Sequence, residues 1–130
     1  MKESTSYLYL VEYCLGGKII SIGVDLVSIK RFKRECRGNP RLKAKLFTSN
    51  ELKLSAQQLA GNFAIKEALY KALDDQTSFR YSNCSILRDF NSGKPKLILD
   101  GELALLLKNK QIGISITNEG DWVIACVSII

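Results

Sequence analysis

Apolar and polar positions follow two different periods along the chain, and the changes between them mark the predicted elements. Residues 18–27 are rich in apolar and β-branched side chains, which predicts a buried strand. After Ser28 the apolar positions Ile29, Phe32 and Cys36 recur at helical spacing. Since serine is a favourable helix N-cap, we expect a helix to begin directly after the strand.

Two further helices are predicted in the middle of the chain. A short helix carries Leu42 and Leu46. Thr48 followed by Glu51 resembles a capping signal, which predicts that another helix begins after it. The most extended helical pattern covers residues 55–73, SAQQLAGNFAIKEALYKAL. Because this alanine-rich helix is apolar nearly all round, we expect it to pack against the sheet of the fold.

The C-terminal half is predicted to consist of strands and turns with one inserted helix. Residues 85–88 and 96–99 flank a hairpin-like turn, and a leucine-rich helix follows at 101–109. Residues 112–117 and 122–130 form two strands joined by a tight turn. Strands and helices do not alternate regularly, so the predicted class is α+β, a long alanine-rich helix on a small antiparallel sheet.

Composition places the chain among ordinary globular domains. The 130 residues are 46% apolar and 25% charged, without a run of about eighteen apolar residues that would span a membrane. We expect residues 1–17 to be an N-terminal extension, disordered or otherwise, and residues 18–130 to form one domain. The four cysteines form no C-x-x-C pair, which favours reduced thiols in a cytoplasmic protein.

The chain contains no histidine, which restricts its chemistry. Serine–histidine and cysteine–histidine nucleophiles and the common zinc sites are excluded, since imidazole is their usual base or ligand. Chemistry must therefore rest on carboxylates and lysines, with or without a hard cation.

Charged residues on the alanine-rich helix are the first candidate. Glu67 and Lys71 lie four positions apart, nearly one above the other on a face of small residues. They can form a simple ion pair worth about 0.3–0.5 kcal/mol. Alternatively, the small neighbouring side chains let a ligand approach a partly enclosed site.

Asp25 is the second candidate, because it stands near the end of an apolar strand. It can cap the following helix or serve in a turn. It can also be a hard oxygen ligand, since Mg²⁺ takes one or two protein carboxylates and leaves its other positions to water and phosphate oxygens. Asp25 and Glu67 would suffice for such a site, with Lys71 adding a positive charge toward the phosphates.

A basic block is the third candidate. It contains eight basic residues and the single acid Glu35, so it accounts for all of the chain's net charge of +6. The basic residues are Lys30, Arg31, Lys33, Arg34, Arg37, Arg41, Lys43 and Lys45. This block can be a solvated helix face, or it can bind an acidic partner such as a nucleic acid or an acidic protein helix.

Three segments in this order resemble the holo-acyl-carrier-protein synthases of the phosphopantetheinyl transferase superfamily. IGVDLVSIKRF at 22–32 is similar to the family's opening strand with its G-x-D motif. LAGNFAIKEALYKAL at 59–73 is similar to its signature helix, and ISITNEGDWVIACV at 114–127 to its closing hairpin. LFTSNEL and GKPKLILDG between them also fit, so the resemblance runs from about residue 19 to the C-terminus.

The resemblance implies an enzyme that transfers 4'-phosphopantetheine from coenzyme A to a serine of apo acyl carrier protein in fatty acid biosynthesis. Asp25 and Glu67 would bind Mg²⁺, and Glu67 and Lys71 would be catalytic, with Lys71 contacting the pyrophosphate. The nucleotide end of coenzyme A would lie near Gly93, Lys94, Pro95, Ser115, Thr117 and Asn118.

The resemblance also implies partners and assembly. Arg31 and Arg41 match basic positions that face the acidic helix of the carrier protein. The family is typically homotrimeric, with active sites between subunits, and has neither a nucleic acid nor a membrane as partner. Two alternatives are a non-catalytic basic module that binds nucleic acid or an acidic protein, and a family member that binds carrier protein without transfer.

Three positions depart from the family pattern. Asn62 stands where arginine is common, Asp74 where glycine is common, and Asn118 where histidine is common. All three positions bear on contacts to coenzyme A.

Overall fold

The structure is a computed structural model and describes residues 11–12, 19–73 and 79–130. Its strands are β1 (Val11–Glu12), β2 (Ile19–Ser28), β3 (Cys84–Arg88), β4 (Pro95–Leu99), β5 (Ile112–Glu119) and β6 (Trp122–Ile129). Its helices are α1 (Ile29–Cys36), α2 (Pro40–Leu46), α3 (Ala56–Ala72) and α4 (Gly101–Leu106), with 3₁₀ turns at Glu51–Lys53 and Tyr81–Asn83. The predicted extension 1–17 lies outside the described residues except for β1, and Asp74 lies outside them as well.

The strands form two antiparallel sheets. The larger has the order β1-β2-β6-β5, and the smaller is the β3-β4 hairpin. In the larger sheet Asp25 lies opposite Ala125. Because side chains alternate along a strand, Gly23, Asp25 and Val27 all face the helices.

Helix α3 packs across the inner face of the larger sheet. Its buried residues include Ala60, Ala64, Ala68 and Ala72, whose small side chains allow a close approach. At Gly23 a Cβ atom would stand 1.8 Å from the carbonyl oxygen of Ala68, so only glycine fits there. This contact fixes the C-terminal end of α3 beside the middle of β2.

The capping signals explain where the helices begin. The Ser28 hydroxyl accepts a hydrogen bond from the Arg31 backbone N–H at 3.2 Å, as predicted. Asp121, in the β5–β6 turn, adds a second cap by accepting from the Lys30 backbone N–H at 2.8 Å. At α3, Ser55 and Gln58 form a reciprocal capping box.

The predicted α+β class and alanine-rich helix are confirmed. Helix α4 ends at Leu106, earlier than expected, while strand β5 extends two residues further than expected, to Glu119. Thr48 and Glu51 exchange hydrogen bonds where a 3₁₀ turn begins, and the α-helix expected directly after them does not form there. In the described residues, no helix is long and apolar enough to cross a membrane.

Candidate active site

Asp25 and Lys71 meet where the C-terminal end of α3 crosses β2. The Lys71 ammonium donates to Asp25 Oδ1 at 2.9 Å and to the carbonyl oxygen of Val24 at 3.2 Å. Asp25 therefore does not cap α1, and Lys71 pairs with the strand instead of forming an ion pair with Glu67 within the described residues. The structure brings two of the sequence candidates into direct contact.

Glu67 lies one turn before Lys71 and has a different partner. The hydroxyl of Tyr81 donates to Glu67 Oε1 at 2.8 Å. Burial and the charge of Glu67 raise the pKa of the Tyr81 hydroxyl, so this group stays protonated and acts as a donor. Tyr81 was not among the sequence candidates.

The two carboxylates are half-buried, and the charge of Asp25 acts on Glu67. Burial raises the pKa of Asp25, which its hydrogen bond from Lys71 only partly offsets. Burial also raises the pKa of Glu67; the Tyr81 hydrogen bond lowers it, and the negative charge of Asp25 raises it further. Two such carboxylates, each with its negative charge disfavoured, form a donor set that suits a hard cation.

The size of this donor set restricts the metal. The described residues contain no group of three or more histidine, cysteine, aspartate or glutamate side chains that could hold an ion. A cation with only Asp25 and Glu67 as protein ligands must complete its shell with water and substrate oxygens. Magnesium at a phosphate-transfer site binds in that way.

A buried ion pair is formed by the residue that precedes Glu67 on α3. Lys66 and Glu51 are both fully buried, and the Lys66 ammonium donates to Glu51 Oε1 at 2.7 Å. It also donates to the carbonyl oxygens of Leu46 at 2.7 Å and Tyr81 at 3.0 Å. Lys66 thus ties three separate segments to α3.

Asn62 belongs to this buried network. Its amide donates to Glu51 Oε2 at 2.9 Å and to the carbonyl oxygen of Ile86 at 3.3 Å. Its own oxygen accepts from the Arg88 guanidinium at 3.4 Å. At the position where the resemblance leads one to expect an arginine, this chain has a buried amide, and Arg88 extends to it from β3.

The predicted coenzyme A residues line two neighbouring cavities. One, of about 690 Å³, is bordered by Gly93, Lys94, Pro95 and Ser115. The other, of about 630 Å³, is bordered by Gly93, Thr117, Asn118 and also Arg88. Gly93 has a φ of 70° and lies on the turn between β3 and β4, where it borders both cavities.

Neither of these two cavities is bordered by Asp25, Glu67 or Lys71. The sequence candidates therefore fall into two groups within one chain. The carboxylates and lysine lie where α3 crosses β2, and the nucleotide-end candidates lie along β5 and the β3–β4 turn.

The basic block lies on α1 and α2 and in the turn between them. Arg31 and Arg41 are both exposed, and Arg31 pairs with Glu35 at 3.0 Å within α1. Beneath this surface Ile29, Phe32 and Cys36 are buried against the core. The basic block is thus the solvent-exposed face of these segments, and the opposite face of α1 is apolar and packs on the core.

The residues that sequence reasoning missed are Tyr81, Lys66, Glu51 and Arg88. Lys66 precedes Glu67 directly on α3. A lysine between apolar positions of the most apolar helix was the available signal, since a buried lysine needs a partner. No comparable signal marks Tyr81, which contacts Glu67 from 14 residues further along the chain.

Comparisons with known proteins agree with this architecture. The model of the 4'-phosphopantetheinyl transferase superfamily matches residues 21–127. A holo-[acyl-carrier-protein] synthase of Kocuria rhizophila is 34% identical over 112 residues, 84% of this chain and 90% of that protein. One from Clostridium perfringens is 39% identical over 102 residues, 73% of this chain and 75% of that protein.

A solved structure is also similar. It is the Helicobacter pylori holo-[acyl-carrier-protein] synthase in complex with coenzyme A, which matches with a TM-score of 0.72 and 27% identity, over 84% of this chain and 99% of that one. The resemblance drawn from the three sequence segments is confirmed. The chain belongs to the holo-[acyl-carrier-protein] synthases of the 4'-phosphopantetheinyl transferase superfamily.

Proposed function

We propose that this protein transfers 4'-phosphopantetheine from coenzyme A to a serine of apo acyl carrier protein, releasing 3',5'-ADP, for fatty acid biosynthesis in the cytoplasm. The observation that carries the proposal is the juxtaposition of Asp25, Lys71 and Glu67 in a chain of this family. Family membership supports the reaction, and the three side chains supply the charges that the reaction needs. The described cysteines are free thiols, which agrees with a reducing compartment.

Asp25 and Glu67 are the proposed Mg²⁺ ligands. When bound, this cation supplies positive charge against the pyrophosphate oxygens and helps to align them for an in-line displacement. Support comes from the donor set itself, two half-buried carboxylates with raised pKa values.

Lys71 has the proposed role of neutralising the leaving group. Its ammonium is partly exposed and held at 2.9 Å from Asp25, so it can turn toward an arriving phosphate without leaving this end of the helix. A serine oxygen attacks the phosphorus, and the bond from that phosphorus to the 3',5'-ADP oxygen breaks. Positive charge beside the departing phosphate lowers the barrier to this step.

Glu67 is the proposed acceptor of the serine proton, which it would take through an intervening water. The chain has no histidine to take this role. Burial raises the pKa of Glu67, which brings a carboxylate closer to the range in which a general base works best near neutral pH.

The two cavities beside Gly93 are the proposed site for the nucleotide end of coenzyme A. Lys94 contributes a positive charge to the first cavity and Arg88 to the second. Ser115, Thr117 and Asn118 add hydroxyl and amide groups that can bond to ribose or phosphate oxygens. The relative from Helicobacter pylori, whose solved structure contains coenzyme A, supports this cosubstrate.

A homotrimer with active sites between subunits is the proposed assembly. The outer face of the larger sheet exposes Ile22, Val24, Leu26, Trp122 and Ile124 to between 41% and 56%. An apolar surface of this kind favours burial against another copy of the chain. Such an assembly would also let the carboxylates of one subunit meet the nucleotide-end residues of the next.

The basic block is the proposed docking surface for the acidic carrier protein, with Arg31 and Arg41 in contact. Both residues are exposed, as recruitment requires. Surface charges of this kind mainly accelerate association and weaken with salt.

One measurement tests the proposal as a whole. Full-length protein, apo acyl carrier protein, coenzyme A and Mg²⁺ are incubated, and the mass of the carrier protein is followed. We expect a gain of one phosphopantetheine group, which disappears when EDTA is added. Binding of the carrier protein without a mass gain would overturn transfer, and tight binding of nucleic acid at physiological salt without carrier binding would favour the basic-module alternative.

A further inference from the structure

Tyr81 is held in place by contacts at both ends of the residue. Its backbone carbonyl accepts from the buried Lys66 ammonium at 3.0 Å and from the backbone N–H of Cys84 at the end of the 3₁₀ turn. Its ring lies 6.3 Å from that of Phe63 and 5.4 Å from that of Phe79, measured between centroids. These contacts leave the hydroxyl little freedom to move.

The direction of that hydroxyl is set by two hydrogen bonds that link Tyr81 to consecutive residues of α3. Lys66 and Glu67 are neighbours in the sequence and point to different sides of the helix. The Lys66 ammonium donates to the backbone carbonyl of Tyr81, and the Tyr81 hydroxyl donates to Glu67 Oε1 at 2.8 Å. The buried ion pair between Lys66 and Glu51 therefore fixes the turn from which the tyrosine reaches the carboxylate.

The hydrogen bond distinguishes the two oxygens of Glu67. Within the described residues a donor reaches Oε1, whereas none is found for Oε2. A ligating carboxylate needs one oxygen free for the cation, and a donor on the other oxygen fixes the plane of the group. Tyr81 provides such a donor, and its phenol is neutral, so it adds no charge that would repel a cation.

We propose that Tyr81 is a positioning residue for the metal ligand Glu67: its hydroxyl holds Oε1 and orients the carboxylate for binding a divalent cation. This inference rests on the proposed function of Glu67 as a Mg²⁺ ligand. It assigns to Tyr81 a contribution to metal affinity that is separate from its contribution to packing.

The chain offers a matched control in Tyr70, which lies on α3 in the same aromatic cluster. Its ring is 6.0 Å from that of Phe79, and its side chain is 49% exposed. Tyr70→Phe removes the same hydroxyl from the same cluster without touching Glu67. Tyr81→Phe removes the hydrogen bond and keeps the ring.

The experiment titrates Mg²⁺ into the full chain saturated with coenzyme A, by calorimetry, for wild type and both variants. Outer-shell partners typically contribute about 10–100-fold to metal affinity or activity, so Tyr81→Phe should raise the apparent Kd for Mg²⁺ at least tenfold. Tyr70→Phe should leave it within twofold. The KM for coenzyme A at saturating Mg²⁺ should change in neither variant, since neither hydroxyl is assigned to coenzyme A.

Thermal unfolding without metal separates positioning from packing. If Tyr81→Phe lowers Tm no more than Tyr70→Phe does and still loses Mg²⁺ affinity, the positioning role is supported. Equal Mg²⁺ affinity in wild type and Tyr81→Phe overturns it, as does an equal loss in both variants. If wild type itself binds no Mg²⁺ and transfers nothing, the proposed function has failed, which is a different result from the loss of Tyr81's role.

Discussion

A Cβ atom on Gly23 would stand 1.8 Å from the carbonyl oxygen of Ala68, closer than any side chain can approach a backbone. The same position would lie 2.8 Å from the backbone nitrogen of Ala72. The Ser21 hydroxyl, two residues earlier on the same face, donates to the carbonyl oxygen of Ala72. Because β2 and α3 touch here, the lysine one turn beyond Ala68 reaches Asp25. The glycine of the G-x-D motif is therefore what brings the aspartate to the helix.

Gly23→Ala should destabilise the fold and separate Lys71 from Asp25. Overpacking a well-packed core costs about 1–3 kcal/mol, and here the obstructing atoms are backbone atoms that cannot rotate away. We expect a lower urea midpoint and a loss of transfer larger than the loss of folded protein. Gly113→Ala is the control, since its Cβ would meet only the Ser128 hydroxyl at 2.6 Å, which can turn aside. Equal stability of the two variants would contradict this account.

Lys66→Met should be among the most destabilising single changes in the described part of the chain. It leaves the fully buried Glu51 carboxylate without its cation, and breaking a buried pair costs about 3–5 kcal/mol. Lys53→Met removes an exposed lysine of the neighbouring 3₁₀ turn and should cost about 0.5 kcal/mol or less. Urea denaturation of both variants measures the difference. A loss below 1 kcal/mol for Lys66→Met would mean that Glu51 is protonated or solvated in solution.

Local patterns predicted the elements well, and long-range contacts account for what they missed. Ser28 and Ser55 predicted where α1 and α3 begin, because an N-cap bonds to a backbone N–H only two or three residues further along. Asp25, Glu67 and Lys71 stood out as candidates from their placement and from the motif, although the i,i+4 alternative for Glu67 and Lys71 could be set aside only from the structure. A sequence pattern does not indicate which distant partner a side chain will choose.

The missed contacts join segments that become neighbours only when the chain folds. Lys66 and Glu51 are 15 residues apart, and Tyr81 is 14 residues from Glu67. Lysine is seldom buried, and nothing in the local sequence of α3 identifies Glu51 as the partner that makes the burial of Lys66 possible. Asn62 likewise looked like a missing coenzyme A contact, whereas its amide is bonded to Glu51 in the core.

Asn118→His should increase the affinity of the protein for the nucleotide end of coenzyme A. Asn118 is exposed at the cavity that Arg88 also borders, and a protonated imidazole would add a second positive charge there. We expect the KM for coenzyme A to fall severalfold below about pH 6.5, where histidine is charged, and to approach the wild-type value above pH 8. Asn109→His places the same group on an exposed position outside both cavities and should have no effect. An unchanged KM at every pH would show that other groups already make this contact.

Charge reversal at Arg31 and Arg41 should weaken recruitment of the carrier protein. Arg31→Glu with Arg41→Glu changes the local charge by four, and we expect the KM for carrier protein to rise by about tenfold at low salt. The KM for coenzyme A should stay unchanged, and the difference from wild type should shrink as salt is added. Lys108→Glu, a reversal at an exposed position in the turn after α4 and outside the basic block, is the control. Equal effects of the control and the double variant would point to net charge instead of a docking surface.

Asp25→Asn and Glu67→Gln should each abolish most transfer while leaving the protein folded. Each removes one proposed ligand, so metal affinity and stabilisation of the transition state fall together, by about 10²-fold or more in rate. Stability should change little, because burial already disfavours the negative charge of both groups and their mutual repulsion is relieved. Mg²⁺-dependent thermal stabilisation by coenzyme A should disappear in both variants and persist in Glu102→Gln, which changes an exposed carboxylate on α4. If both variants transfer phosphopantetheine at nearly the wild-type rate, these carboxylates hold no catalytic metal and the mechanism proposed here is wrong.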